Sequence, residues 1–293
     1  MKNRTTSFVT IGAIGAIATV AVASSGWWGS QAQSSIPVAE VSHIHGIAVN
    51  LSDPSKLYLA THDGVFLTSP NGTATPVSSN TDDYMSFTSH PSDASTFFAS
   101  GHPKTGGNSG FLVSRDGTKS WERVSPGVNG PVDFHAMTVS PADPNVLYGL
   151  YGEIQTSTDG GKTWEVVGPP PADIYGLAAS VTDPQMIYAA TGQGVMVSRD
   201  GAKTWEPSGP AGQPASFVNA APDGTVYAFV VGSGLVKLAK SASEWEPITK
   251  RFGNRILIHF AADPTNSDNL FAVTQQSEVI VSSDGGQSWK PLG

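Results

Sequence analysis

The sequence predicts an all-β fold, a β-propeller of six four-stranded antiparallel blades, and three observations carry that prediction. An eight-residue pattern, S-x-D-G-x-x-x-W, occupies residues 114–121, 157–164, 198–205 and 282–289, and a worn copy without its Asp-Gly pair ends at Trp245. The closing residues, Trp121, Trp164, Trp205, Trp245 and Trp289, recur roughly every forty residues, the period of a propeller blade. A second landmark runs in step with the first: an Asp, usually followed by Pro, at Asp53, Asp93, Asp143, Asp183, Asp223 and Asp263. Third, 32 Gly and 21 Pro with only 14% charged residues suit a chain of many short strands and turns.

Each part of the eight-residue pattern has a physical reason. It follows a short apolar run, such as residues 111–113 or 195–197, and precedes another short strand, so it is a hairpin turn. Asp accepts hydrogen bonds from nearby backbone N–H groups and tolerates turn geometry. Gly supplies the positive φ such a turn needs. The Trp folds back over apolar surface and its N–H finds a carbonyl. The pattern resembles the Asp-box, or BNR repeat, of sialidases, sortilin-type ectodomains and related propellers, and the resemblance covers roughly residues 41–293. It implies that Asp116, Asp159, Asp200, Asp284 and the tryptophans are folding elements, placed away from the active face.

The Asp landmarks set the blade boundaries. An apolar strand follows each of them, and the blades span about 41–80, 81–130, 131–170, 171–210, 211–252 and 253–293. Blade two is longer than the rest, and the excess matches the polar loop at residues 101–110, G-H-P-K-T-G-G-N-S-G. Blade six supplies its own fourth strand, which leaves residues 36–41 to brace the seam with blade one.

Residues 1–28 read as an export signal or a membrane anchor. Lys2 and Arg4 precede an apolar run over residues 8–23, which is expected to be helical. Ala21-Val22-Ala23 before Ser24 is a small-x-small cleavage pattern, and Trp27-Trp28 suits a membrane interface. The propeller is therefore expected outside the cytoplasm, secreted or anchored by this segment, with residues 29–40 as a linker. The net charge of −8 disfavours nucleic acid. The absence of Cys excludes disulfides and thiolate sites.

Function is sought at the mouth where the inner strands begin, because the loop between the second and third strands returns to the same face. Counting back eight residues from each landmark gives His45, Met85, His135, Tyr175, Ala215 and Arg255. Counting back ten gives His43, Asp83, Asp133, Asp173, Gln213 and Gly253. Residues two apart on a strand point the same way, so His43 should pair with His45, and Asp133 with His135. His62, His102, Glu153 and Gln193 fall in the matching loops. All histidines except His90 and His259 then map to one face.

The set His43, His45, Asp133 and His135 is a candidate site for a divalent metal, zinc or, with Met85 nearby, copper. His102, Tyr175 and Arg255 are candidate ligand-binding residues. The same imidazoles also suit acid–base chemistry. Three function classes follow: a module binding a metal, small-molecule, glycan or protein ligand; a glycoside hydrolase drawing a carboxylate pair from Asp83, Asp133, Asp173 and Glu153; and an assembly scaffold. Residues 43–46 (H-I-H-G), 101–103 (G-H-P) and 133–136 (D-F-H-A) resemble exported bacterial glycosyl-hydrolase-like proteins. A sialidase grips its substrate with three Arg. Here the six Arg are Arg4, Arg115, Arg123, Arg199, Arg251 and Arg255, and only Arg255 maps to the inner layer, which argues against that activity.

Overall fold

A computed structural model of the chain describes residues 34–210 and 212–293. The apolar segment read as an export helix lies outside these residues. Among the described residues no helix is long and apolar enough to cross a membrane.

Six antiparallel sheets stand around a common axis. Blade one runs outward from Ile44–Val49 through Leu57–Thr61 and Gly64–Thr68 to Thr73–Pro76. Blade two runs from Asp83–Ser89 through Phe97–His102 and Phe111–Ser114 to Glu122–Ser125. The inner strands of blades three to six are Ala136–Val139, Ile174–Ala179, Ala215–Ala220 and Leu257–Ala262. Each sheet is hydrophobic on both faces because each is packed on both sides. Six apolar clusters result, one between every neighbouring pair of blades. Tyr58 and Ala60 of blade one, for example, meet Tyr84, Phe87 and Phe97 of blade two.

Among the described residues no strand is shared across the seam. Ile36–Pro37, in the stretch read as linker, adds a fifth strand to the outer edge of blade one, paired with Thr73 and Ala74. Val38 and Val41 then turn inward and join the cluster between blades one and six, with Phe271 and Val273. The ring thus closes by side-chain packing and by one polar contact, His259 Nε2 to the Ile44 carbonyl at 3.1 Å.

The four well-kept Asp-boxes share one Ser–Asp hydrogen-bond scheme, and all but the blade-two box add a bond from the Trp N–H. In blade three, Ser157 Oγ donates to Asp159 Oδ1 at 2.8 Å and accepts from Gly161 N at 2.9 Å. Asp159 also accepts from Thr163 N at 2.9 Å and Thr163 Oγ1 at 2.7 Å, and Trp164 Nε1 donates to the Gly161 carbonyl at 3.1 Å. The fifth residue of each box has positive φ. Gly161 and Gly286 meet that need without strain, whereas Thr118 and Ala202 adopt φ 70° as non-glycine residues.

Candidate functional site

The inner strands are kinked at their starts, and the kink determines what reaches the mouth. In blades one, four, five and six the pairing with the second strand skips one residue: His45, Tyr175, Ser216 and Ile258. Blade two skips Ser86 and Phe87. Such bulges re-aim side chains beside functional sites. Strict alternation therefore fails at these positions. His43 precedes the strand, with φ 52°, so the expected pairing of His43 with His45 through a shared strand face does not hold. Both rings instead meet His62, with centroids 5.0 Å and 4.3 Å away.

Two imidazole–carboxylate clusters form at this mouth. In the first, His62 Nδ1 lies 2.7 Å from Asp83 Oδ2, and His45 Nε2 lies 3.7 Å from Asp83 Oδ1. One donor atom from each of His45, His62 and Asp83 lies within 4.8 Å of the others. His45 Nε2 and Asp83 Oδ1 are both buried and lack a hydrogen-bond partner among the described residues. Burial pushes the His45 imidazole below its usual value, and the Asp83 charge offsets part of that. In the second cluster, Asp133 Oδ2 takes His135 Nε2 at 2.7 Å and His102 Nε2 at 3.0 Å. Asp133 is 2% exposed, and its Oδ1 is buried without a partner among the described residues.

The long loop of blade two holds both clusters in place. Lys104 reaches back to blade one, with Nζ 3.0 Å from Asp63 Oδ1 and 3.1 Å from the His62 carbonyl, while its N–H donates to Asp82 Oδ1 at 2.9 Å. Asn108 Nδ2 reaches forward to the Pro131 carbonyl at 3.0 Å and Tyr151 Oη at 3.1 Å. The backbone at Phe134, between Asp133 and His135, is pinned from blade two. Its N–H donates to Ser100 Oγ at 3.0 Å, and its carbonyl accepts from Ser86 Oγ. Below the mouth a channel of about 510 Å³ runs between the inner strands, with His45, His135, Tyr175 and His259 on its wall.

Among protein families, the BNR/Asp-box repeat matches residues 155–166, the box of blade three. The chain is a six-bladed Asp-box propeller. Among solved structures it is similar to a GH74 enzyme of Niastella koreensis, with a TM-score of 0.63, 19% identity, and 85% of this chain covering 45% of that one. It is similar to the GH74 xyloglucanase of Xanthomonas campestris, with a TM-score of 0.60, 20% identity, and 88% of this chain covering 46% of that one. It also matches YCF48 bound to D1 peptide, with a TM-score of 0.54, 16% identity, and coverage of 88% and 84%. The chain spans less than half the length of either GH74 protein. At these identities the likeness is one of fold. A search of curated proteins finds no match.

Within the Asp-box propeller, the four residues predicted as one metal set divide between the two clusters. His45 belongs to the first, with His43 beside it through His62, while Asp133 and His135 belong to the second. His102 joins Asp133. Tyr175 is 54% exposed at the channel wall. Arg255 pairs with Glu278 at 3.3 Å, and it precedes the inner strand of blade six, where Ile258 takes the bulged place. Asp173 and Glu153 are exposed. The partnership of His62 with Asp83 was not predicted, although His62 lies in the loop that counting placed at the mouth. His259, assigned elsewhere by counting, lies on the channel wall, and burial drives its imidazole down to about 4.

Proposed function

We propose that this protein is an exported propeller that binds a divalent transition metal, zinc or copper, through His45, His62 and Asp83. One observation carries the reading: His45 Nε2 and Asp83 Oδ1 face each other 3.7 Å apart, buried and unpartnered. Orphaned buried polar atoms are costly, about 1–3 kcal/mol each. A cation between them relieves both. Zinc–ligand distances of ~2.0–2.2 Å place the donors of a tetrahedral site roughly 3.3–3.6 Å apart, close to this separation. Burial favours the neutral form of His45, the form that ligates a metal. Two imidazoles and a carboxylate suit zinc or copper rather than calcium or magnesium, and they leave a coordination position for an incoming oxygen or nitrogen donor of a small molecule, glycan or protein.

The basic and then apolar start of the sequence supports delivery outside the cytoplasm, with residues 1–28 cleaved or kept as the anchor. A glycosidase reading has less support, because Asp83 and Asp133 already engage imidazoles while Asp173 and Glu153 stand exposed. A scaffold reading has less support, because the mouth gathers convergent polar groups. The test is equilibrium dialysis of the whole chain against zinc and copper(II), with metal analysis of the protein. The variant His45→Ala/His62→Ala should lose about one ion per chain relative to the unaltered protein. Unchanged metal content in that variant would sink the proposal.

A further inference from the structure

We infer that the mouth also hydrolyses carboxylic esters, with His135 as the general base and Asp133 as the residue that positions it. The inference rests on the proposed metal site only for the cation beside this base; the base itself stands on separate observations.

The hydrogen bonds at Asp133 define the base. His102 Nδ1 lies 3.1 Å from the Gly107 carbonyl, and its Nε2 lies 3.0 Å from Asp133 Oδ2. Both partners can only accept, so both ring nitrogens donate and His102 is an imidazolium. Its charge meets that of Asp133, which is 2% exposed. His135 Nε2 lies 2.7 Å from the same oxygen and donates to it without needing a charge of its own. A neutral ring that donates from Nε2 keeps its lone pair on Nδ1. Among the described residues nothing bonds that nitrogen, and the side chain is 66% exposed on the channel wall. A buried carboxylate that fixes the tautomer of an exposed imidazole and leaves its other nitrogen free is the arrangement of a general base.

The base is also held still. The His135 N–H donates to the Leu150 carbonyl at 3.2 Å, and Phe134 just before it is pinned by Ser100 and Ser86. Groups fixed in orientation lose less freedom when they react.

An electrophile stands next to it. Asp83 of the metal site and His102 are directly paired across the inner two strands of blade two, a pairing that sets side chains on one face with Cβ atoms about 5 Å apart. Burial lowers the His45 imidazole, and the charge of Asp133 is among the smaller influences that oppose it. His45 and His135 line the same channel. A cation held by His45, His62 and Asp83 is therefore within electrostatic reach of the base.

The substrate class follows from what the mouth offers. Cleaving a glycoside needs two carboxylates free to act, and Asp83 and Asp133 already hold imidazoles. Cleaving a phosphate ester draws on cationic side chains around its oxygens, and Lys104 and Arg255 are paired with Asp63 and Glu278. A carboxylic ester needs one base and one electrophile. His135 Nδ1 takes a proton from water as the water oxygen bonds to the ester carbonyl carbon, and the carbonyl oxygen takes up the electron pair against the cation. The pair then returns, the bond to the alcohol oxygen breaks, and His135 gives its proton to that oxygen. One water is consumed, and one acid and one alcohol leave. The channel is walled by small residues, among them Gly46, Ala48, Ala136, Gly176 and Ala178, which suits an unbranched apolar acyl group.

The experiment follows hydrolysis of para-nitrophenyl butyrate by the whole chain, with zinc content measured on each sample: unaltered, His135→Gln, Asp133→Asn and His45→Ala/His62→Ala. The unaltered protein with zinc should turn over repeatedly. His135→Gln should keep its zinc and lose about 10²–10⁴-fold in kcat with KM little changed. Asp133→Asn should likewise lower kcat rather than raise KM, and His45→Ala/His62→Ala should lose zinc and hydrolysis together. Zinc without hydrolysis in the unaltered protein overturns the inference and leaves the metal site standing, as does full activity in His135→Gln. Hydrolysis that depends on His135 in a protein that binds no zinc overturns the metal site and keeps the base. Neither zinc nor hydrolysis overturns both. His135→Asn serves as a second variant should His135→Gln unfold, and circular dichroism confirms that each protein is folded.

Discussion

Replacing Gly149 with alanine pushes a methyl group into the ring of Phe134, and the effect should reach the mouth. A Cβ at residue 149 would lie 2.6 Å from Phe134 Cδ1 and 2.7 Å from Cε1. The ring cannot retreat. Phe134 is fully buried, its centroid is 4.8 Å from that of Trp164, and its N–H is tied to Ser100 Oγ. Overpacking of this kind costs about 1–3 kcal/mol. In a domain of this size each kcal/mol lowers Tm by roughly 2–4 °C, so a fall of roughly 2–12 °C is expected. Asp133 and His135 flank Phe134 in the chain, so a displaced ring disturbs the second imidazole–carboxylate cluster. The proposed metal site at His45, His62 and Asp83 stands on other strands, so its zinc affinity should be unchanged. The assay pairs thermal unfolding with zinc titration. Adding Phe134→Leu to Gly149→Ala should restore room, giving a favourable coupling of about 0.5–3 kcal/mol in the double-mutant cycle. Strictly additive losses, or a Gly149→Ala protein melting within about 1 °C of the parent, would refute the reasoning.

Other outcomes follow from single residues. Thr118 is fully buried in a left-handed conformation with its hydroxyl unpartnered, and blade four holds Ala202 at the equivalent position, so Thr118→Ala should stabilise the fold by about 1 kcal/mol; urea unfolding with a lower midpoint would count against this. Trp164 Nε1 donates to Ser125 Oγ and the Gly161 carbonyl, whereas the Trp121 Nε1 has no partner. Trp164→Phe should therefore cost about 1 kcal/mol more than Trp121→Phe, and equal costs by chemical denaturation would show that the bonds do not matter. Hydroxyl and backbone donors, from Thr163 at Asp159, Thr204 at Asp200 and Ser288 at Asp284, hold these carboxyls at about 2 rather than 3.8. A carboxyl depressed in the folded state contributes its full stability above the unfolded value and loses it as pH falls through the folded one. The domain should thus weaken between 3.8 and about 2, and acid titrations of Asp159→Asn/Asp200→Asn/Asp284→Asn should show a shallower decline there.

The fold was legible in the sequence because its signals are local. A turn that needs Asp, Gly and a returning Trp in eight residues leaves a trace in every blade that keeps it, and an Asp landmark marks the blade even in blade five, where the box has worn away. The site was legible only in part. Counting back from Asp53, Asp93 and Asp143 found the residues of the mouth, yet it assumed an unbroken strand. The bulges at His45, Tyr175 and Ile258 break that assumption, and bulges leave little mark in a sequence. Arg255 was assigned to the inner layer for a different reason: Asp263 takes the place that Asn50 has in blade one, three residues before that of Asp53, so counting back from it overshoots the bulged position, which belongs to Ile258. The grouping failed for a second reason. Asp83 takes its imidazoles from blade one, whereas Asp133 takes one from blade two and one from its own blade, and which neighbour a carboxylate chooses depends on loop lengths that spacing alone does not decide.

Every sheet in the ring is drawn from one uninterrupted stretch of chain, with nothing borrowed across the junction of the first and last. Many of the pairings that must form are therefore between neighbours in sequence, which favours quick assembly and permits wedges to form independently before they meet. Moving the break in the polypeptide to any boundary between wedges would cut no ladder of hydrogen bonds. Such rearranged versions should keep the architecture, and they offer a way to carry the imidazole-lined mouth on a scaffold whose termini can be chosen at will.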